Sequence, residues 1–209
     1  EGVNDIPTAS EDSFTTNENS MVTIENLLDN DSDPDDSDTL SVSAINTENT
    51  RGEVTDNEDG TYDYNPNGQF ENLAVGETAT DSFSYTTSDG NGETDTATIT
   101  ITIEGVNDTP TATADNFTTN EDTATTIENL LDNDSDPDDS DVLSISAINT
   151  ENTRGEVTDN EDGTYDYNPN GQFENLAVGE TATDSFTYTV TDGNEGTDTA
   201  TVNLTIEGV

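Results

Sequence analysis

Cysteine, histidine, tryptophan and lysine are all absent from these 209 residues, and Arg51 and Arg154 are the only basic side chains. Without cysteine there is no disulfide framework, no thiolate metal site and no thiol nucleophile. Without histidine or lysine, Ser–His and Cys–His chemistry is out of reach. Paired carboxylates of the glycosidase kind are what remain. The acidic pairs crowd into loops rather than facing one another across a cleft, so the chain reads as a non-enzyme. Positive charge is also what nucleic acids and anionic membrane surfaces require of a partner. A formal net charge of −47 lacks either footprint. No apolar run approaches ~18 residues, so no segment reads as membrane-inserted. No secretory signal opens the chain. It opens inside a repeat, and therefore reads as a piece of a longer array.

What the chain does have is 49 acidic residues and 27% hydrophobic residues, a balance that ordinarily signals disorder. The placement of the apolar residues argues for folding instead. Ala97, Ile99, Ile101 and Ile103 alternate with threonines, as do Phe83 and Tyr85 with Ser82, Ser84 and Thr86. Period-two alternation marks half-buried strands. Tyr62 and Tyr64 flank Asp63, and Leu40 and Val42 flank Ser41. Further strands are expected over 12–16, 21–27 and 52–56, separated by the turn segments 58–60, 65–68 and 88–92. Seven short strands per unit predict an all-β, antiparallel Greek-key sandwich of immunoglobulin type. Its expected core is Phe14, Ile24, Leu27, Leu40, Val42, Ile45, Val54, Tyr62, Tyr64, Phe70, Leu73, Phe83, Tyr85, Ile99 and Ile101. The tyrosines and phenylalanines are read as core, and the two arginines as local ion-pair partners.

The chain repeats itself at a period of 103 residues, with 18 differences between residues 1–103 and 104–206. Two tandem sandwiches are expected, over 1–103 and 104–209. With strands of ~8 residues at about 3.3 Å rise, each would run roughly 40 Å.

The densest acidic stretch is Asp29-Asn30-Asp31-Ser32-Asp33-Pro34-Asp35-Asp36-Ser37-Asp38, which returns unchanged at 132–141. Carboxylates ~4 Å apart repel by about 1 kcal/mol even in water, so a compact loop of this kind needs a cation. Its donors are all hard oxygens: Asn30, the serines and carboxylates including Asp33 and Asp36, with Asn133, Asp136 and Asp139 in the second copy. Such donors suit Ca²⁺ rather than zinc or copper. The loop is not an EF-hand, since Pro34 stands at its sixth position and Leu40 at its twelfth. In a Greek key, this loop and the one following Asp89 share the end where the first strand enters. Asn17-Glu18-Asn19 lies at the opposite end. Joining the units would stack Glu18 (Glu121 in the second copy) and the linker Glu104–Asp108 against Asp134, Asp136 and Asp192. A second Ca²⁺ site is expected there.

Four motifs in register carry a resemblance: Gly-Val-Asn-Asp-x-Pro, Asn-Asp-Ser-Asp-Pro-Asp, the run from Phe70 to Phe83, and Ser-Asp-Gly-Asn-Gly. Together they resemble the cadherin-like, VCBS-type bacterial immunoglobulin-like repeats that form the extender arrays of large repeats-in-toxin adhesins. The resemblance implies Ca²⁺-rigidified sandwiches, type I secretion to the cell surface, and a monomeric rod whose partners are neighbouring repeats and Ca²⁺. It implies ligand roles for Asn30, Asp31, Asp33, Asp89, Asn107 and Asp108, and for their counterparts Asn133, Asp134, Asp136, Asp192, Asn4 and Asp5. The second copy departs from the first at Glu195-Gly196, which transposes Gly92-Glu93 and leaves the later ligands of that loop open. The competing reading, a glycan- or protein-binding module, needs an exposed apolar patch, and none stands out in the sequence.

Overall fold

The computed structural model describes residues 3–209. Glu1 and Gly2, which open the first repeat, lie outside the described residues. The chain divides into two compact units, Glu1–Val106 and Asn107–Val209. The boundary falls just past the repeat period for a local reason. The last strand of the first unit runs to Glu104, and the Gly105 amide then donates to the Glu77 carbonyl.

The first unit contains seven strands: β1 (Asp12–Asn17), β2 (Val22–Ile24), β3 (Ser41–Asn46), β4 (Glu53–Asp56), β5 (Tyr62–Asn65), β6 (Thr78–Ser88) and β7 (Thr94–Glu104). The second repeats them as β8 (Asp115–Asn120), β9 (Thr125–Ile127), β10 (Ser144–Asn149), β11 (Glu156–Asp159), β12 (Tyr165–Asn168), β13 (Thr181–Thr191) and β14 (Thr197–Glu207). The first unit is a sandwich of a four-stranded sheet, β1-β7-β6-β3, and a three-stranded sheet, β2-β5-β4, and the second repeats them as β8-β14-β13-β10 and β9-β12-β11. The long β6–β7 hairpin is the backbone of the unit. Its strands alternate threonine and serine outward with Phe83, Tyr85, Ala97, Ile99, Ile101 and Ile103 inward, as the sequence pattern requires. One pairing departs from a purely antiparallel sandwich. β1 runs parallel to β7, from Asp12 opposite Ile99 to Asn17 opposite Glu104, because it enters at the end where β7 begins.

The buried core of the first unit contains Ile24, Leu27, Tyr62, Tyr64, Phe70, Phe83, Tyr85, Ile99 and Ile101 among the expected residues, together with Ala97 and Ile103. Phe14, Val42, Ile45, Val54 and Leu73 pack against it half-buried. Leu40 does not join this cluster and instead lines a cleft at the side of the sandwich. The Arg51 guanidinium stacks over the Phe70 ring, 4.0 Å from its centroid, and donates to the Gln69 carbonyl. A cation–π contact therefore stands where the sequence suggested an ion pair.

A buried carboxylate organises the other side of the core. Asp81 accepts hydrogen bonds from the backbone N–H groups of Arg51, Gly52 and Ser82, and from the Tyr64 hydroxyl at 2.7 Å. Asp184 does the same with Arg154, Gly155, Ser185 and Tyr167. Gly52 permits this approach. A Cβ there would lie 2.6 Å from the Asn65 carbonyl oxygen and 2.7 Å from the Tyr64 ring. Gly52→Ala is therefore expected to destabilise the first unit by about 2–3 kcal/mol through overpacking. A urea titration of the whole chain checks this, because the unaltered second unit serves as the internal reference.

Candidate metal centre

Asp33 starts the construction of the site in the first unit. Its Oδ1 accepts the Asp35 amide at 2.7 Å, a local turn that folds two carboxylates towards each other. Asp35 in turn accepts the amide of Asp5 from the entering segment. Asp38 accepts the Asn91 side-chain amide from the β6–β7 loop at 2.9 Å. Asp89 closes that loop by accepting the amides of Asn91, Gly92 and Glu93, and its other oxygen takes the Asn4 side-chain amide. The result gathers three segments at one end of the sandwich. Asp33, Asp35 and Asp38 each offer a carboxylate oxygen, all within 4.8 Å of one another. Asp33 Oδ2 is buried and has no hydrogen-bond partner. Burial pulls the Asp89 carboxyl upward, but the Asn4 and backbone donors win and hold it below the ordinary carboxylate range.

The second unit repeats the arrangement more completely. Asp136, Asp141 and Asp192 bring carboxylate oxygens within 4.8 Å of one another. Asp138 accepts the Asp108 amide at 2.9 Å, and Asp192 accepts the Asn107 side-chain amide at 2.9 Å. Four side-chain oxygens are buried there without a hydrogen-bond partner: Asn107 Oδ1, Asp108 Oδ2, Asp136 Oδ2 and Asp138 Oδ1. Burial, reinforced by neighbouring carboxylates, pushes Asp136 and Asp138 above the ordinary range. Unpartnered buried oxygens each carry a desolvation penalty of about 1–3 kcal/mol. Oxygen donors alone, without nitrogen or sulfur, fit a hard cation that takes 6–8 oxygens, which is the chemistry of Ca²⁺.

The residues expected from sequence divide into those the fold brings together and those it does not. Asp33, Asp136 and Asp192 stand in the clusters or beside them, with Asp89, Asn107 and Asp108. Asn4 and Asp5 tie the entering segment to the first cluster through an amide side chain and a backbone amide. Asp31 turns the other way. It accepts the Ser10 amide, the Tyr85 hydroxyl at 2.9 Å and the Thr87 hydroxyl at 2.6 Å. Asp134 likewise receives the Thr113 amide and the Tyr188 hydroxyl. Asn30 and Asn133 are exposed and pin the strand that enters each unit. Asp36 and Asp139 are exposed on the outside of the loop. Their neighbours Asp35, Asp38, Asp138 and Asp141, which sequence reasoning did not single out, hold the inward positions. The alternate spacing of Asp33 and Asp35 around Pro34 was the available signal.

Glu18 and Glu121 are buried in the turns after β1 and β8. There they accept the amides of Val106 and Val209. Glu104 is exposed, and its carbonyl accepts the Glu18 amide. The transposed pair in the second unit leaves Asp192 with the Asn194 and Gly196 amides and puts Glu195 in the left-handed region at φ 82°, where Gly92 stood at 117°. A non-glycine residue held there carries strain of about 1–3 kcal/mol.

Comparison with known proteins supplies the context for this geometry. The bacterial cadherin-like domain family matches residues 4–105 and again 107–208. No curated protein matches the sequence. Among solved structures, protocadherin gamma C5 EC1-3 aligns with 97% of this chain and 68% of its own, at 15% identity and a TM-score of 0.52. Drosophila N-cadherin EC1-4 aligns over 95% of this chain and 49% of its own, at 17% identity and a TM-score of 0.50. At such identity these likenesses show the fold.

Proposed function

Because this chain belongs to the bacterial cadherin-like domain family in both of its units, we propose that it is an extracellular adhesion or extender segment stiffened by Ca²⁺. One observation carries the reading. In the second unit Asp136, Asp141 and Asp192 bring carboxylate oxygens within 4.8 Å of one another, and side-chain oxygens of Asn107, Asp108, Asp136 and Asp138 are buried without a hydrogen-bond partner. Asn107 and Asp108 follow the last strand of the first unit by only two residues. An ion bound to them fixes the start of the second unit to its linker. Glu18 grips Val106 from the first unit's side, so each residue from Gly105 to Asp108 has a polar group tied to the body of its own unit. In this reading Ca²⁺ removes the hinge freedom a short polar linker would otherwise keep. The chain then serves as a spacer that holds a distal binding domain away from a bacterial surface. Secretion by a type I system as part of a repeats-in-toxin adhesin belongs to the same proposal, as does a structural rather than catalytic role.

Small-angle X-ray scattering of the chain in millimolar Ca²⁺ and in EDTA tests stiffness directly. The expected result is a single well-defined particle in Ca²⁺ and a larger, smeared distribution of dimensions in EDTA. Superimposable profiles would remove calcium from the account and leave an acidic sandwich with solvated carboxylates.

A further inference from the structure

In the first unit β1 and β2 approach each other, whereas β3 and β4, the outer strands on the other side, flank two adjoining clefts. In the first unit these clefts measure about 560 and 280 Å³ and share Val42, Asp56 and Tyr62 in their walls. The second unit repeats them at about 490 and 280 Å³. The larger cleft has an apolar floor of Leu28, Leu40, Val42 and Tyr62, and a rim of Asp29, Asp56 and Glu58. Leu40 packs outside the main core and faces this space, which is where its place in the expected core went unfilled.

We propose that this lateral cleft is a docking site for a basic peptide segment of a partner protein. An apolar side chain would enter the floor while flanking lysine or arginine groups meet the three rim carboxylates. Charge complementarity selects that occupant. The chain carries 49 acidic residues against two arginines, so it cannot supply the cations itself, and a second copy would be repelled. The β3 edge favours insertion of a side chain over addition of a strand. A bulge between Val42 and Ala44 interrupts its ladder, a device that blunts exposed edges against pairing. A volume near 500 Å³, its wall divided between apolar side chains and carboxylates, is of the size that binding sites occupy. The site lies on the flank of each sandwich, apart from the acidic clusters at its end. The proposal therefore stands whether or not the spacer reading holds.

The test is fluorescence anisotropy with two labelled peptides, alternating Lys-Leu and alternating Lys-Ser, on the full chain in millimolar Ca²⁺ and roughly 150 mM salt, where long-range attraction is screened. The leucine peptide is expected to bind at least about tenfold more tightly, the effect of burying one leucine side chain. Two peptides should bind per chain, one to each unit. Ser41→Trp, which fills the first cleft from its wall, should reduce this to one, and adding Ser144→Trp should abolish the difference between the peptides. Equal affinity for both peptides would reduce the effect to general acidity and overturn the proposal. So would binding that ignores both tryptophans in variants whose melting temperatures are unchanged. Self-association of the chain without peptide, measured by sedimentation, would assign the cleft to a second copy instead.

Discussion

Asp81→Ala is expected to destabilise the first unit by about 3–5 kcal/mol, since one buried and three part-buried donors would each lose a partner at up to about 1–3 kcal/mol. The orphaned groups are the amides of Arg51, Gly52 and Ser82, and the hydroxyl of the fully buried Tyr64. A domain of this size has about 5–15 kcal/mol in total, so the variant unit stands near its threshold while the second unit is unaffected. Thermal or urea unfolding should split into two transitions, with only the first displaced. Asp81→Asn should displace it less, because it keeps the shape and one acceptor. A loss below about 1 kcal/mol in the alanine variant would mean that water replaces the carboxylate, and that the network is not structural.

The same carboxylate sets the acid limit. Burial pulls Asp81 upward, but its backbone and tyrosine donors win and hold it below the usual carboxylate range. A group with a depressed folded pKa contributes stability above its unfolded value, and loses it as pH falls through the folded one. That contribution is therefore lost below about pH 4. Asp12 and Asp115 work in the opposite sense. Burial pushes both upward, reinforced by the charges of Asp31 and Asp134. Their contribution is present below the unfolded value and lost as pH rises through the raised folded one. In EDTA, melting temperature should therefore rise as pH drops from neutrality and then fall steeply below about pH 4. The fall of the first unit should be shallower in Asp81→Ala, with Asp89, which its own donors also hold low, supplying what remains.

The double variant Asp136→Asn, Asp138→Asn should invert its effect with calcium. Without the ion, burial and the charges of Asp108, Asp141 and Asp192 oppose ionisation of this pair, so neutral amides should make the second unit more stable than the parent. With Ca²⁺ at a hundredfold excess over its Kd, the parent should gain about 2.7 kcal/mol by linkage. The variant, stripped of two anionic donors, should gain little. Calorimetric scans of both proteins in EDTA and in Ca²⁺ give the four melting temperatures, and the crossing is the signature. A variant less stable than the parent in both conditions would show the two carboxylates to be packing elements rather than ligands.

The strands were legible in the sequence because their signal is local. Alternation along Thr94–Glu104 and Thr78–Ser88 dictates which side faces a core, whatever the partner strand. The repeat, the acidic loops and their gathering at one end followed from the same pattern and the connectivity of a seven-stranded sandwich. The parallel pairing of β1 with β7 was decided only in three dimensions, since nothing in residues 12–17 names their partner. So was the orientation of each carboxylate. In a run where almost every residue is acidic, composition cannot distinguish Asp31, held inward by Tyr85, from Asp35 and Asp38, held in the cluster by Asp5 and Asn91. Those partners lie 30 to 54 residues away along the chain, and loops have no periodicity to announce a side chain's direction. The network around Asp81 was invisible for the same reason. A single aspartate in a strand of threonines reads as an exposed residue until Gly52, two segments away, leaves the space that lets the backbone close on it.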